Sequence, residues 1–397
     1  MLLLEVLIGA AALATLPAVI ILSMEVLAAL LGKEDEPELA SGTRPRIAVV
    51  IPAHNEASGI LDTLQDLIPQ LQNGDCLLVV ADNCTDDTAA IASAAGAEVI
   101  LREDLTRRGK GYTLDFAIRH LQRSPPEVLL IVDADCHVGK RSVDRLARVC
   151  ARTGRPVQAL NLSRALPESG LSIRIAEFAS ILKNQVRPLG LRRLGLPCHL
   201  MGTGMAFPWI PISQATLATG HIVEDLKLGL ELMGAGHPPV FCPEARVSSY
   251  FPASEAGFVS QRTRWEHGYL EVLVRDAPAV LLKSLSTLDG QMLVMGLDLC
   301  VPPIALLTLM VSAVWAASAL LCVLARVELP LVIASAAAAL LALSVLASWA
   351  RYGRQTLSLW SLALAIGYAL LKIPLYLRFL VARQFEWKRT KREDGSV

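Results

Sequence analysis

The chain has 397 residues, of which 53% are hydrophobic and 19% are charged. Average soluble domains are less apolar and more charged, so this composition indicates a membrane protein and excludes an intrinsically disordered one. Basic and acidic residues both total 37, and the resulting zero net charge argues against nucleic acid as a partner.

The eight cysteines are scattered along the chain without a CxxC pair. This spacing excludes the common zinc and dithiol redox motifs. We therefore expect reduced thiols in a cytosolic compartment, most of them packed as small core residues.

Apolar residues are concentrated at the two ends of the chain. Residues 1–31 lack the basic start of a secretory signal, so we predict a retained transmembrane helix. Residues 292–382 contain three further hydrophobic membrane segments, and residues 383–397 form a basic tail. The three segments are predicted at Met292–Ala325, Leu329–Ala350 and Leu357–Ala382.

The membrane topology has two readings from the sequence. Four spanning helices would place both termini on the side opposite the central domain, yet the basic tail favours the cytoplasm. The alternative is that one C-terminal segment is interfacial or re-entrant. Lys372 and Pro374 make the last segment the best candidate for this.

Between the membrane regions, residues 44–275 read as an α/β domain. Short apolar strands are predicted at 46–51, 77–80, 98–101 and 128–132, with amphipathic helices between them. This alternation predicts a mostly parallel, Rossmann-like sheet whose ligands bind at the carboxyl ends of the strands. After it, residues 269–290 resemble an amphipathic segment on the membrane surface, interrupted by Pro278.

Polar clusters follow the predicted strands, and they indicate nucleotide chemistry. A dinucleotide GxGxxG, a P-loop and a GxSxG elbow are all missing at the positions where they would be expected. Asp133 and Asp135 follow a buried strand and could hold Mg²⁺ or Mn²⁺ together with a diphosphate. Lys110 opens a predicted helix, where the helix dipole and its own charge suit a phosphate.

Six motifs in order resemble the catalytic core of membrane-bound family 2 glycosyltransferases, which have the GT-A fold. They span about residues 45–270, and the QxxRW signature is matched in full. Similar enzymes include cellulose, chitin, hyaluronan and poly-N-acetylglucosamine synthases and ceramide glucosyltransferases. The motifs are VVIPAHNE (49–56), VADNCTDDT (80–88), RGKG (108–111), DAD (133–135), VED (223–225) and QRTRW (261–265).

The resemblance implies a role for each matched residue. Asp225 would be the catalytic base, and Asp133 with Asp135 would hold the metal. The nucleotide and its diphosphate would be bound by Glu56, Asp82, Lys110, Asp133, Gln261, Arg262 and Arg264. Glu224 and Trp265 would border the acceptor, since an indole face suits a sugar ring. Outside the matched motifs, the small residues Gly202, Thr203 and Gly204 would let the backbone approach a sugar closely.

The sequence departs from the family pattern at two places. Ala81 replaces the usual first Asp of the second-strand motif, and Asn83-Cys84 replace its Gly-Ser. The motif therefore does not specify the nucleobase of the donor. Val223 stands where many processive members have Thr, which weakens a prediction of processivity.

We therefore predict an inverting glycosyltransferase that moves a sugar from a UDP-sugar to a membrane-associated glycan, in exopolysaccharide or cell-surface polysaccharide synthesis. A single-transfer lipid glycosyltransferase, making a glycolipid or lipid-linked oligosaccharide, is the first alternative. A membrane scaffold with an inactive transferase domain is a remote one, because Asp225 and the DxD pair are both present. The expected location is a bacterial inner membrane, with the catalytic domain in the cytoplasm. Membrane lipid is an expected partner, and protein partners are left open.

Overall fold

The computed structural model describes residues 2–32 and 43–381. The basic tail predicted at 383–397 lies outside these ranges, as does most of the linker after the first helix. The described residues form two compact units. We call residues 2–32, 169–196 and 269–381 the membrane unit, and residues 43–168 and 197–268 the catalytic unit.

The helices are numbered along the chain without regard to the unit in which they lie. The first eight are α1 (Leu2–Leu31), α2 (Ile60–Leu67), α3 (Thr88–Ala94), α4 (Lys110–Leu121), α5 (Ser142–Thr153), α6 (Leu171–Ile181), α7 (Arg187–Arg193) and α8 (Trp209–Gln214). They are followed by α9 (Glu224–Gly234), α10 (Glu255–Arg275), α11 (Ala277–Thr287), α12 (Gly290–Leu299), α13 (Ile304–Ala325), α14 (Leu329–Ser348), α15 (Leu359–Leu371) and α16 (Ile373–Val381). π-helical turns at Leu182–Val186 and Trp349–Gly353 follow α6 and α14, and a 3₁₀ turn at Ile68–Gln70 follows α2.

The catalytic unit is built on one eight-stranded sheet. Its strands are β1 (Ile47–Ala53), β2 (Cys76–Asp82), β3 (Glu98–Arg102), β4 (Val128–Ile131), β5 (His137–Val138), β6 (Val157–Arg164), β7 (Met205–Pro208) and β8 (Val240–Tyr250). Their spatial order is β3-β2-β1-β4-β7-β6-β8-β5. The first four pair in parallel, while β7 is antiparallel to both β4 and β6. The carboxyl ends of β1, β2 and β4 therefore meet at one edge, where the polar clusters follow.

Helices cover both faces of this sheet. Alternate residues of β1 point to opposite faces, so Val49 and Ile51 pack with α2 and α5, while Ala48 and Val50 pack with α4 and α9. Both sets are fully buried, which explains why these strands read as continuous apolar runs. This confirms the predicted α/β fold class.

The membrane unit contains four helices long and apolar enough to cross a bilayer. They are Leu2–Leu31, Ile304–Ala325, Leu329–Gly353 and Leu359–Leu380. Gly9 on α1 lies beside Pro330 at the start of α14, and the Tyr352 hydroxyl after α14 donates to the carbonyl of Ala29 near the end of α1. These two helices therefore run in the same direction.

Two features of the membrane unit differ from the sequence expectation. Met292–Ala325 is not one segment but α12 and α13, because Pro302 and Pro303 lie between them and break the helical hydrogen bonding. Residues 169–196, which the sequence places inside a continuous domain at 44–275, group instead with the terminal helices.

Residues 169–196 join the membrane unit through close packing and buried charge. The backbone of α1 at Glu25 lies directly against Gly190 on α7, where no larger residue would fit. The Arg187 guanidinium donates to Glu25 Oε2 at 2.7 Å and also pairs with Asp298 on α12. All three side chains are buried. These charges are easily taken for surface groups in the sequence, because their partners are far apart along the chain.

Candidate active site

The loops after β1 and β2 are locked to each other by hydrogen bonds. Asn55 adopts a left-handed conformation (φ 57°), and its Oδ1 accepts from the Thr85 amide at 2.6 Å. The Glu56 amide donates to Thr88 Oγ1 at 2.8 Å. The His54 ring contacts the Asp82 carbonyl at 2.6 Å. Two of the predicted nucleotide-binding residues, Glu56 and Asp82, thus lie at one edge of the sheet.

The Asp82 carboxylate is already engaged by protein donors. Its Oδ1 accepts from Arg102 Nη1 at 2.6 Å and from Asn83 Nδ2 at 2.9 Å, and its Oδ2 accepts from Thr113 Oγ1 at 2.9 Å. A carboxylate can accept about four hydrogen bonds, so roughly one position remains for the nucleobase or ribose of a nucleotide. Arg102 also donates to the Arg107 carbonyl at 2.7 Å, which fixes the segment leading to Lys110.

Lys110, the first residue of α4, links three parts of the sequence. Its Nζ pairs with Asp133 Oδ1 after β4 and donates to the Gly202 carbonyl at 2.7 Å. A Cβ placed on Gly202 would lie 3.5 Å from Asp225 Oδ2, so the acidic motif of α9 reaches the same point. Burial opposes the charge of Lys110, but Asp133, Glu224 and Asp225 raise the pKa of this lysine well above its ordinary value.

A group of side chains after β4 has the chemistry of a cation site. Asp133, Asp135 and Cys136 each offer a ligand atom, and these atoms lie within 4.8 Å of one another. The two carboxylates are half-buried and fit a hard divalent cation such as Mg²⁺ or Mn²⁺. Cys136 is buried and its Sγ lies 3.5 Å from Thr203 Oγ1.

The acidic pair Glu224 and Asp225 forms the first turn of α9. Burial, and then the neighbouring Asp225 charge, raise the pKa of Glu224 to about 8. The site therefore favours the neutral, protonated form of Glu224 more than solvent would. A carboxyl group with a raised pKa beside a second carboxyl group is typical of acid–base sites.

The QxxRW residues lie on α10 within the catalytic unit. Gly268 on this helix packs directly on Val223, with Val223 Cγ1 only 2.6 Å from where a Cβ would stand, so α10 borders the acidic motif. Arg262 donates to Glu266 Oε1 at 2.8 Å. Among the described residues, Gln261 Oε1 and Arg262 Nε are buried without a hydrogen-bond partner. Arg264 and Trp265 are half-buried.

Several residues that shape this site are not evident from the sequence motifs. Arg102 and Thr113 hold Asp82, and Gln158 holds the loop at 201–203. Arg102 could have been found from the sheet register, because it is paired directly with Asp82 across β2 and β3. Gln158 is the second residue of β6 and gives no such signal.

Comparisons with known proteins agree with this architecture. The family model described as "Glycosyltransferase like family 2" matches residues 45–268, more than half of the chain. Over 96% of its length the chain resembles a solved mannosyltransferase from Pyrobaculum calidifontis in complex with GDP-mannose and Mn²⁺, with a TM-score of 0.57 and 17% identity, and it covers 100% of that protein. A glucosyl-3-phosphoglycerate synthase from Mycobacterium tuberculosis matches over 50% of this chain and 69% of its own, with a TM-score of 0.36 and 23% identity. No protein of curated function matches the sequence.

The sheet order and the carboxylates at its edge define a GT-A glycosyltransferase with flanking membrane helices. The chain belongs to the glycosyltransferase family 2-like family, and it is an enzyme that transfers a glycosyl group.

Proposed function

We propose that the protein transfers one sugar at a time, with inversion, from a nucleoside-diphosphate sugar to a lipid-borne acceptor in the membrane. The observation that carries the proposal is the convergence on Gly202. Its carbonyl accepts from Lys110 Nζ, which also pairs with Asp133, and Asp225 Oδ2 lies close to its Cα. A cation, a metal-binding carboxylate and a base are the groups that this transfer requires.

The donor end of the site is assigned to the residues after β1, β2 and β4. Glu56 and the free acceptor position of Asp82 hold the nucleoside, and Lys110 faces the diphosphate. Gln261 Oε1 and Arg262 Nε support a role for α10 at this end, because buried polar atoms without partners are rare and a ligand would satisfy them. Asp133 and Asp135 would hold Mg²⁺ or Mn²⁺, which supplies charge neutralisation at the leaving diphosphate.

Asp225 acts at the acceptor end. It takes the proton of the acceptor hydroxyl as the hydroxyl oxygen bonds to the anomeric carbon. The bond from that carbon to the diphosphate oxygen breaks, and its electron pair leaves with the nucleotide. Lys110 and Arg264 offset the charge that develops there. Gly202, Thr203, Gly204 and Trp265 border the acceptor, and the neutral Glu224 can donate a hydrogen bond to it.

In the proposed topology, the last residues of α1 lie at the cytoplasmic end of the membrane unit. Arg193 donates to the carbonyls of Ala28 and Ala29 there, and Arg351 and Arg354 follow α14 beside the same end. An excess of arginine is typical of cytoplasmic ends. Nucleotide sugars are found in that compartment, which in a bacterium makes this an inner-membrane enzyme.

Polysaccharide synthesis is the second candidate, and the motif resemblance to polymer synthases favours it. Val223, in place of the threonine of many processive members, favours single transfer. The length of the glycan product distinguishes single transfer from polysaccharide synthesis.

The experiment is a donor screen on the detergent-purified chain. UDP-sugars and GDP-mannose are supplied with Mg²⁺ or Mn²⁺, with and without a membrane lipid extract, and nucleotide release is measured. We expect release from one donor that requires both metal and lipid, and mass spectrometry should find a lipid bearing a single sugar. A ladder of longer glycans would support the polymer reading, and release without any acceptor dependence would contradict both.

D225N and D62N are the matched pair of variants. Both aspartates lie in the first turn of a helix, but Asp62 is exposed on α2 and is not among the residues assigned to donor, metal or acceptor. We expect D225N to abolish lipid-dependent release and D62N to leave it unchanged. Equal activity of the two variants would refute the assignment of Asp225.

A further inference from the structure

The loop at residues 201–204 is the element on which Lys110, Asp133 and Asp225 converge. Lys110 donates to the Gly202 carbonyl at 2.7 Å, and the Asp133 amide donates to Thr203 Oγ1 at 3.0 Å. Asp225 Oδ2 lies beside Gly202. A shift of this loop would therefore move all three groups relative to one another.

The side chain of Gln158 on β6 holds the loop from beneath at two of its residues. Its Oε1 accepts from the Met201 amide at 2.7 Å, and its Nε2 donates to the Thr203 carbonyl at 2.9 Å. Nε2 also donates to the Ala159 carbonyl at 2.9 Å, which ties the carboxamide to its own strand. Gln158 is fully buried, so water cannot replace these bonds.

Other contacts each hold one residue of the loop, such as the bond from the Ala159 amide to the Gly204 carbonyl at 2.8 Å. Gly204 has a left-handed conformation (φ 64°) and lies so close to the sheet that a Cβ would stand 2.7 Å from Val247 Cγ2. Asn161 Nδ2 donates to the Met201 carbonyl at 2.9 Å, but it reaches only one end of the loop. Gln158 bonds to both Met201 and Thr203 and so spans the loop.

We propose that Gln158 is a positioning residue of the transfer reaction, which sets the loop at 201–203 and through it the place of Lys110 and Asp133. The inference rests on the proposed function. The chemistry requires a carboxamide, because the loop presents one N–H and one carbonyl, and the side chain must accept from the first and donate to the second. A methionine of similar volume satisfies neither. A carboxylate accepts from Met201 but faces the carbonyl of Thr203 with no proton to donate.

The test compares Q158M and Q158E with S142A. Ser142 is a matched control, because it is also buried and its hydroxyl clamps a backbone segment, accepting from the Arg246 amide at 2.9 Å and donating to the Arg246 carbonyl at 3.2 Å. We expect S142A to lose thermal stability while kcat and KM of the folded protein stay unchanged. Q158M should raise the donor KM and lower kcat, with a combined loss in kcat/KM of roughly 10- to 100-fold.

Q158E provides a readout that a merely structural role would not give. A buried carboxyl that faces two carbonyl oxygens has a raised pKa, and its protonated form donates where the glutamine did. The ratio of Q158E to wild-type kcat/KM should therefore rise as the pH is lowered from about 8 to about 6. A ratio that does not change with pH would overturn the proposal.

Hydrogen exchange separates failure of this inference from failure of the proposed function. Loss of the bond from the Met201 amide should accelerate exchange in a peptide covering residues 200–205 in Q158M, and this needs no substrate. If no donor is turned over by wild type, the proposed function fails while this loop measurement stands. If the exchange is unaltered in Q158M, or altered with kcat/KM unaffected, Gln158 is not a positioning residue.

Discussion

At the scale of single residues, the site is a set of buried and half-buried charges that pair with one another. Asp82 shows the principle. The family motif predicts a nucleotide-binding role for it, yet most of its acceptor capacity is used by Arg102, Asn83 and Thr113. Its first task in the fold is therefore to join the ends of β2 and β3 to α4.

Removing Arg102 should lower the free energy of unfolding. R102M would leave the Asp82 carboxylate buried without its ionic partner, and we expect a loss of about 3–5 kcal/mol in the free energy of unfolding. R102M/D82N removes the stranded charge and should recover most of this loss. Chemical denaturation of the four species in a double-mutant cycle measures the coupling, and independent, additive losses would contradict the pairing.

Glu224 should give the protein a stability that depends on pH. Its pKa is about 8 in the folded chain and near 4.5 when unfolded, so between these values the folded state binds a proton that the unfolded state does not. Stability should therefore fall as the pH rises from about 4.5 to about 8. Thermal unfolding of E224Q across this range should show a weaker fall than wild type.

E103Q is the control for this measurement, because Glu103 is an exposed glutamate of the same unit. Its unfolding should keep the wild-type pH dependence. A wild-type profile in E224Q as well would contradict the protonated state of this carboxyl.

At the scale of elements, the first turn of α4 is the most tightly constrained part of the site. Gly111 lies against the carbonyls of Leu217 and Thr219, and a Cβ would stand 2.7 Å from the latter. G111A must displace either the loop before α9 or the start of α4, and it should cost about 1–3 kcal/mol. Nucleotide affinity should fall with it, because Lys110 moves too.

G290A is a matched control for G111A. Gly290 is also in the first turn of a helix, α12, but a Cβ there meets nothing within 4 Å. Calorimetric binding of nucleotide with Mn²⁺ and thermal unfolding should be unchanged in G290A. A harmless G111A would mean that the loop at 217–219 is not fixed against α4.

Some of these elements could be predicted from the sequence and others could not. The strands β1, β2 and β4 were predictable because they are buried on both faces and end in polar residues. Their partners were harder to predict. Arg102 follows only once the register of β3 against β2 is known, and Gln158 acts on a separate loop, at 201–203. The two prolines at 302 and 303 predict a helix break, but the apolar residues on both sides favoured one continuous segment.

At the scale of the whole molecule, the main departure is that residues 169–196 belong to the membrane unit. Their apolar stretches are too short to read as a span, and Arg187 reads as a surface charge. Its partners Glu25 and Asp298 lie far from it in sequence, so only the folded chain shows the buried cluster. Nothing in local periodicity could have indicated it.

This cluster predicts a graded response of the membrane unit to mutation. R187M leaves two acidic side chains buried without their cation, and we expect a loss of about 3–5 kcal/mol in stability. R187M with E25L and D298L removes all three charges and should recover much of it. Thermal unfolding in detergent measures both, and a stable R187M would contradict the burial of the cluster.

We infer that Asp133 serves donor binding while Asp225 serves proton transfer, at one site. This inference is tested most directly by measuring turnover and the affinity for nucleotide with Mn²⁺ in the same preparations of D133A and D225N. We predict that D133A weakens both, whereas D225N binds the nucleotide as wild type does and loses about 10²- to 10⁴-fold in turnover. A D225N enzyme that keeps its turnover, or a D133A enzyme with unchanged affinity for nucleotide and Mn²⁺, would contradict the account.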